Sequence, residues 1–355
     1  MKFLSTIAFS ASLAAAESWP NGPFTTSGRN ILDASGNLVT YAGANWPGAA
    51  DVMIPEGLQY QSVANIVAKL KELNMNVIRL TYAIELIDQI YENGGVDVSI
   101  SQAFVEALGE TNGTAVYKEV LAANPEFSPN ITRLEEPIKA SSWTALTSMS
   151  LRNEPRTPAD NTTLADETYN WEYWYKYVKE GASAINTANP DPLIFLSGLD
   201  FDTWLTPVVD KTALTPGNAT FSYSDFPANK MVLELHNYEN SVSSCSSLES
   251  SLYSDGFATL NTTADVNHFP VVVTEWGFNQ DNTTWLEPYT QCLQEYLPAQ
   301  KSGWMIWVLA GSYYIRSGSQ DVDETWGLLT HDWSGWRSPA YIQGGLIPMV
   351  NATIS

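Results

Sequence analysis

Two glutamates stand at the ends of β-like runs that lie far apart in the chain. The run 149–151 stops just before Glu154, because Pro155 cannot donate a hydrogen bond to a sheet and biases its predecessor away from helix. The run 269–276 is typical of a buried strand and carries Glu275 near its carboxyl end. Barrel enzymes keep their catalytic groups at the carboxyl ends of parallel strands. Two carboxylates in such places could work as a pair, one as a general acid and the other as a base or nucleophile.

The surrounding elements predict a parallel sheet that would bring these strand ends together. Residues 30–33 and 38–41 flank a turn and predict a hairpin, followed by a buried strand at 41–46. Helical spacing of apolar residues at 61–73 leads into a second buried strand at 76–80. Strand, helix, strand is the repeat of a parallel α/β fold, so we predict a (β/α) barrel as one domain over residues 17–355. The further predicted elements are helices at 171–185 and 285–297, and strands at 193–196, 231–235 and 304–308.

The charge balance limits the class of partner. The 355 residues include 39 acidic and 17 basic side chains, a formal charge of −22. Such a chain is repelled by nucleic acid and by anionic membrane surfaces. We therefore expect neutral substrates, with no nucleic acid and no membrane as partner. We further expect a monomer that needs no cofactor and no metal.

The amino terminus has the layout of a secretory signal. Lys2 precedes a short apolar stretch at 3–13, and alanines at 14–16 supply the small-residue exit, so residues 1–16 are predicted to be removed. No later apolar run is long enough to span a bilayer. We expect a secreted, extracellular glycoprotein. Seven Asn-x-Ser/Thr sequons agree with this route: Asn112, Asn130, Asn161, Asn218, Asn261, Asn282 and Asn351.

The chain has two cysteines, Cys245 and Cys292. In an oxidising compartment the simplest expectation is one disulfide, and two free thiols are the alternative. No Cys or His cluster has the spacing of a zinc site.

Several motifs, taken together and in order, resemble the fungal-type secreted members of glycoside hydrolase family 5. They are LRNEPR, LHNYE, VVTEWG, the late WMIW strand, YAGANWPG and NVIRL. The resemblance runs from about Asn30 to Ile342. It implies a (β/α)8 TIM-type barrel and a retaining hydrolase of a β-glucan, with endo-β-1,4-glucanase as the leading activity. A β-1,3-glucan, a mannan or a glycoconjugate remains open as substrate.

The resemblance also implies roles for individual residues. Glu154 would be the acid/base and Glu275 the nucleophile, and the charge of Glu275 would raise the pKa of Glu154 so that it stays protonated near neutral pH. Arg79 would hydrogen-bond Glu275, with a core-edge salt bridge as the alternative role. Asn153 would donate to the sugar 2-hydroxyl. For either glutamate alone, a structural ion pair is the alternative.

Four further residues are implied as substrate-binding. His236 and Tyr238 would end the sixth barrel strand beside the two acids, and Trp307 would end the eighth strand as a floor for a glucosyl ring. Trp46 is a weaker stacking candidate, as is Trp276. The other histidines, His268 and His331, are expected to be structural.

One segment of the family pattern is missing. The third barrel strand, with its His/Asn pair, has no counterpart, and the gap falls between Leu134 and Pro137. Residues 95–101 alternate weakly and are the alternative source of a strand. Either the natural chain lacks the unit, or an exon was lost in the gene prediction; we favour the second, because the flanking parts keep every matched residue. If the loss is natural, a carbohydrate-binding protein without turnover becomes the alternative function.

Overall fold

The computed structural model describes residues 21–127, 131–133, 145–263 and 265–355. Its first described elements form a small antiparallel sheet of three strands, β1 (Thr25–Ser27), β2 (Asn30–Leu32) and β3 (Leu38–Val39). The β2–β3 pair is the hairpin that the sequence predicts. Its apolar side chains pack with Val232, Val272 and Met305 from the main sheet in a second core cluster.

The main sheet consists of seven parallel strands. Each predicted strand of the parallel sheet is present, and its bounds differ from the prediction by a few residues at most. The order across the sheet is β5-β4-β10-β9-β8-β7-β6. The strands are β4 (Ala42–Trp46), β5 (Val77–Leu80), β6 (Ser148–Ser150), β7 (Leu193–Ser197), β8 (Met231–Asn237), β9 (Val271–Trp276) and β10 (Gly303–Ile306).

The described sheet is open between β5 and β6, where the sequence predicts a missing strand, and we call this gap the seam. In a closed eight-stranded barrel, β5 and β6 would each have a neighbour on both sides; here they are the two edges of the described sheet. The expectation of an incomplete (β/α)8 barrel is therefore confirmed for the described residues. The predicted gap from Leu134 to Pro137 lies outside them. The alternative strand at 95–101 is wrong, because Ser99 only bridges Thr132 and a helix starts at Ile100.

Helices connect the strands. The segment between β5 and β6 holds three helices within its described part. The longer helices are α1 (Val63–Glu72), α2 (Ile84–Glu92), α3 (Ile100–Leu108), α4 (Glu110–Ala123), α5 (Thr162–Thr168), α6 (Trp171–Ala188), α7 (Cys245–Asp255), α8 (Pro288–Ala299) and α9 (Ile347–Ile354). A last antiparallel pair, β11 (Ser312–Arg316) and β12 (Ser319–Asp323), follows β10.

A disulfide joins two of these helices. Cys245 at the start of α7 is bonded to Cys292 in α8, with their Cα atoms 5.1 Å apart. The predicted pairing is confirmed, and the free-thiol alternative is wrong. Among the described helices, none combines the length and apolar character that crossing a bilayer requires. The predicted signal at 1–16 lies outside the described residues.

Candidate active site

The two glutamates converge at the carboxyl end of the sheet. Glu275 is the fifth residue of β9, and Glu154 follows the end of β6 by four residues. One carboxylate oxygen of each lies within 4.8 Å of the other and of a ring nitrogen of His236. Glu275 is almost fully buried, whereas the Glu154 side chain keeps 22% of its surface exposed. A sugar could therefore approach Glu154 from solvent and still contact Glu275.

Arg79 holds the nucleophile candidate from β5. Its Nη1 donates to Glu275 Oε1 at 2.6 Å and to Asn45 Oδ1 at 2.7 Å, so the predicted contact with Glu275 is present. Its Nη2 donates to Asn153 Oδ1 at 2.6 Å and lies 3.3 Å from Glu234 Oε1. Burial lowers the pKa of the Arg79 guanidinium, but the charges of Glu275 and Glu234 outweigh burial and raise it. Arg79 is therefore a fixed cation between two carboxylates.

His236 and Tyr238 contact the two glutamates from β8 and the residue after it. His236 Nδ1 lies 3.0 Å from Glu154 Oε1 and 3.6 Å from Glu275 Oε2. The Tyr238 hydroxyl donates to Glu275 Oε2 at 3.0 Å. Alternate residues of a strand share a face, which explains why these two side chains reach the same pair of acids.

The same alternation places a third carboxylate, Glu234, beneath the pair. Glu234 is fully buried and accepts hydrogen bonds from the hydroxyls of Ser150, Ser197 (3.0 Å) and Thr274 (2.7 Å). Burial raises its pKa, but His236, Arg79 and Ser150 outweigh burial and lower it to about 2. The sequence reasoning missed this residue, although a charge two positions before His236 in an apolar strand was a usable signal.

Asp202 was also missed. It lies in the turn after β7, is fully buried, and accepts a hydrogen bond from the Glu154 backbone N–H through Oδ2 at 2.9 Å. Burial raises the pKa of Asp202 well above its ordinary value, with Glu234 adding to that rise and His236 opposing it. An acid just beyond a predicted strand is the pattern that identified Glu154, and it could have identified Asp202 as well.

The expected sign of the Glu154 pKa shift is wrong. Burial raises the pKa of Glu154, but the hydrogen bond and charge of His236, with the charges of Arg156 and Arg79, outweigh burial and lower it. The pKa of His236 moves up to about 10: burial lowers it, while Glu275, Glu154 and neighbouring carboxylates raise it more. A cationic imidazole therefore faces Glu154, and its charge decides the direction of the shift.

Aromatic side chains form one wall of an adjoining cleft. Trp307 and Tyr238 line it together with Trp326 and the β11–β12 hairpin, and its cavity volume is about 680 Å³. Trp307 directly follows β10 and is partly exposed, which suits the predicted stacking role. Trp46 and Trp276 are buried in the core, and the Trp46 indole N–H donates to the Glu56 carbonyl, so little of either ring is available to a sugar.

The other two histidines lie apart from the acids. His268 Nδ1 is 3.1 Å from the Thr259 carbonyl oxygen. His331 lies between Asp321 and Asp323 of the hairpin, at 3.1 and 3.3 Å. Neither contact involves Glu154 or Glu275.

Among the residues that the structure describes, two clusters have spacings that could hold a metal ion: Glu154 with His236 and Glu275, and Asp202 with Glu234 and His236. In each cluster one carboxylate already has Arg79 as a cationic partner. Arg79 therefore supplies a positive charge to one carboxylate of each cluster.

Comparison with known proteins points to one family. Residues 147–312 match the model of cellulase (glycosyl hydrolase family 5). The chain is similar to a glycosyl hydrolase 5 family protein of Chamaecyparis obtusa, 27% identical over 90% of this chain, and it spans 65% of that relative's length. It is also similar to an endoglucanase of Paenibacillus polymyxa, 23% identical over 90% of this chain and 85% of the relative.

A solved structure supports the fold. The endocellulase of Pyrococcus horikoshii, determined in complex with cellotetraose, superposes with a TM-score of 0.56 at 14% identity, covering 94% of this chain and 100% of that one. At such low identity the likeness concerns the fold alone. Residues 147–312, which carry both glutamates, are therefore similar to the cellulases of glycoside hydrolase family 5.

Proposed function

We propose that this protein is a secreted retaining glycoside hydrolase that cleaves a β-glucan, with endo-β-1,4-glucanase as its activity. The observation that carries the proposal is the pair Glu154 and Glu275, whose carboxylate oxygens come within 4.8 Å. Retaining enzymes hold their carboxyl groups about 5 Å apart, whereas inverting enzymes need roughly 6.5–9.5 Å to admit a water molecule. The observed spacing suits direct attack by one carboxylate.

In the first step Glu275 attacks the anomeric carbon while Glu154 transfers its proton to the glycosidic oxygen. The bond to the leaving sugar breaks, the sugar departs as an alcohol, and Glu275 becomes an ester. In the second step the Glu154 carboxylate takes a proton from water, and the oxygen of that water attacks the anomeric carbon. Glu275 leaves as a carboxylate and Glu154 is again protonated, so both groups return to their starting forms.

The neighbouring side chains have distinct duties in this scheme. Arg79 and Tyr238 hydrogen-bond separate oxygens of Glu275, which fixes its orientation toward the sugar. Asn153 accepts from Arg79 through Oδ1, so its amide nitrogen is the group that can donate to the sugar 2-hydroxyl. Trp307 supplies an aromatic face beside them.

Charge and similarity support the proposed substrate class. A protein of formal charge −22 favours neutral over anionic polysaccharides. One relative is named an endoglucanase, and one structural neighbour holds cellotetraose. Secretion is proposed from the predicted signal at 1–16 and the sequons.

Covalent labelling tests the proposal. The protein is incubated with the 2,4-dinitrophenyl glycoside of 2-deoxy-2-fluorocellobiose and digested, and its peptides are mapped by mass spectrometry. We expect a stable adduct on Glu275, and none in Glu275→Ala. Labelling that persists in Glu275→Ala would contradict the nucleophile assignment. On a soluble cellulose derivative, viscosity that falls faster than reducing ends appear would support endo cleavage.

The open seam between β5 and β6 favours one second candidate, a carbohydrate-binding protein without turnover. It would bind cello-oligosaccharides in calorimetry while neither releasing dinitrophenol nor forming the adduct. Parallel assays on β-1,3-glucan and mannan separate the remaining linkages.

A further inference from the structure

The turn after β7 has an unusual backbone. Three consecutive residues, Asp200, Phe201 and Asp202, adopt left-handed conformations with φ of 52°, 60° and 62°. Residues other than glycine rarely occupy this region, and each such residue costs on the order of 1 kcal/mol or more unless its surroundings hold it. A run of three therefore indicates that the turn is held by specific contacts.

Those contacts go to the peptide of the acid/base candidate. Glu154 also has a left-handed backbone, with φ of 47°, and it precedes Pro155, a position that normally favours extended conformations. Its N–H donates to Asp202 Oδ2 at 2.9 Å, and the Phe201 N–H donates to the Pro155 carbonyl at 3.1 Å. The turn therefore hydrogen-bonds the Glu154–Pro155 segment at two points, the Glu154 N–H and the Pro155 carbonyl.

Asp202 also faces the imidazole that bonds the Glu154 carboxylate. Its Oδ2 lies 3.5 Å from His236 Nε2, while His236 Nδ1 lies 3.0 Å from Glu154 Oε1. Within the described part of the chain, Asp202 Oδ1 and His236 Nε2 are buried polar atoms without a hydrogen bond of good geometry. The other charged groups around this imidazole are Glu234 at 3.9 Å and Glu275 at 3.6 Å, with Arg79 bonded to both.

We propose that Asp202 is a positioning residue for Glu154. It fixes the Glu154 backbone amide through a hydrogen bond, and it holds in place the His236 imidazole that orients the Glu154 carboxyl group. Asp202 has no exposed surface, so it acts through Glu154 and touches no sugar. The inference rests on the proposed function, because it assigns a partner to the acid/base of that mechanism.

Leaving-group dependence distinguishes positioning from general structural support. The sugar that leaves when cellotetraose is cleaved needs the proton from Glu154, whereas 2,4-dinitrophenolate departs without one. Displacing the acid by about 1 Å can cost roughly 10²-fold. For Asp202→Ala we therefore expect kcat/KM to fall about 10²-fold on cellotetraose and to stay within about threefold of the wild type on 2,4-dinitrophenyl cellobioside. Asp202→Asn keeps an oxygen acceptor for the Glu154 N–H and should recover most of the cellotetraose activity.

Two further variants complete the experiment. Asp200→Asn changes an exposed side chain in the same left-handed turn and should leave kcat/KM unchanged on both substrates. In a Glu154→Gln background, Asp202→Ala should cause no additional loss on cellotetraose, because its effect passes through Glu154. If Asp202→Ala lacks a cooperative thermal transition, Asp202→Ser is measured instead, since its shorter side chain cannot reach the Glu154 amide in the same way.

Equal losses on both substrates, or no loss on either, in the folded variant would overturn the positioning role. A wild-type protein that hydrolyses neither substrate would overturn the proposed function as well. Turnover by the wild type, combined with equal losses in the variant, would overturn this inference alone.

Discussion

Arg79 donates a hydrogen bond of 2.6 Å to Asn153, although the two residues belong to opposite edges of the described sheet. Arg79 lies on β5, and Asn153 follows β6. In the described sheet, β5 and β6 are edge strands that do not pair with each other. At their carboxyl ends, the Arg79–Asn153 hydrogen bond connects these two edges. The same guanidinium contacts Glu275 and Glu234, so one cation connects Asn153 with both buried carboxylates.

Replacing Arg79 should weaken the fold as well as the reaction. Arg79→Met removes the guanidinium that pairs with Glu234 and Glu275, and removing one partner of a buried pair costs about 3–5 kcal/mol. Arg79→Lys keeps the charge but loses the forked donor geometry, so we expect an intermediate loss. Urea denaturation followed by tryptophan fluorescence measures both variants. An Arg79→Met midpoint equal to that of the wild type would show that the network contributes nothing to stability.

The activity profile should report the charge of His236. Because a cationic His236 lowers the pKa of Glu154, the acid form of Glu154 is favoured only at acidic pH, and we expect an acidic optimum. His236→Asn removes that charge, so the alkaline limb of kcat/KM should move upward by about one pH unit. Arg156→Ala, which removes an exposed charge 3.4 Å from Glu154, should shift the limb in the same direction but less. A limb that stays in place in His236→Asn would refute this account.

Stability should have a maximum in mildly acidic solution. Glu234 has its pKa lowered from 4.5 to about 2, so its contribution is present above pH 4.5 and disappears as the pH falls through 2. His236 has its pKa raised from 6.5 to about 10, so its contribution is present below pH 6.5 and disappears as the pH rises toward 10. Urea midpoints measured across this range should peak between these limits. Glu234→Gln should flatten the acid side and, because Glu234 also helps to raise the pKa of His236, the alkaline side to a smaller extent. An unchanged acid slope would contradict the assignment.

The disulfide should stabilise mainly by restricting the unfolded chain. Cys245 and Cys292 are 47 positions apart, for which the loop-entropy relation gives about 4 kcal/mol. The double variant Cys245→Ser with Cys292→Ser should unfold at a correspondingly lower denaturant concentration. Wild-type protein measured with a reducing agent provides the matched control. Equal midpoints for oxidised wild type and double variant would contradict the estimate.

Sequence alone identified the elements whose signals are local. Glu154 and Glu275 were recognisable because each stands at the end of an apolar run, and the β2–β3 hairpin because its turn residues are diagnostic. The open edge was recognisable from the family resemblance, because the third-strand segment of that pattern has no counterpart between β5 and β6. The cysteine pairing followed from there being two cysteines.

Tertiary structure alone decided which side chains surround the acids. Asp202 meets the Glu154 amide across 48 positions, and Glu234 meets Thr274 across 40. Trp46 and Trp276 are typical sugar-stacking residues in sequence, yet packing buries both. The sign of the Glu154 pKa shift is the clearest case. It depends on whether His236, Arg156 or Glu275 acts most strongly on one carboxylate, and Coulomb interactions depend on distances in space rather than on positions in the chain.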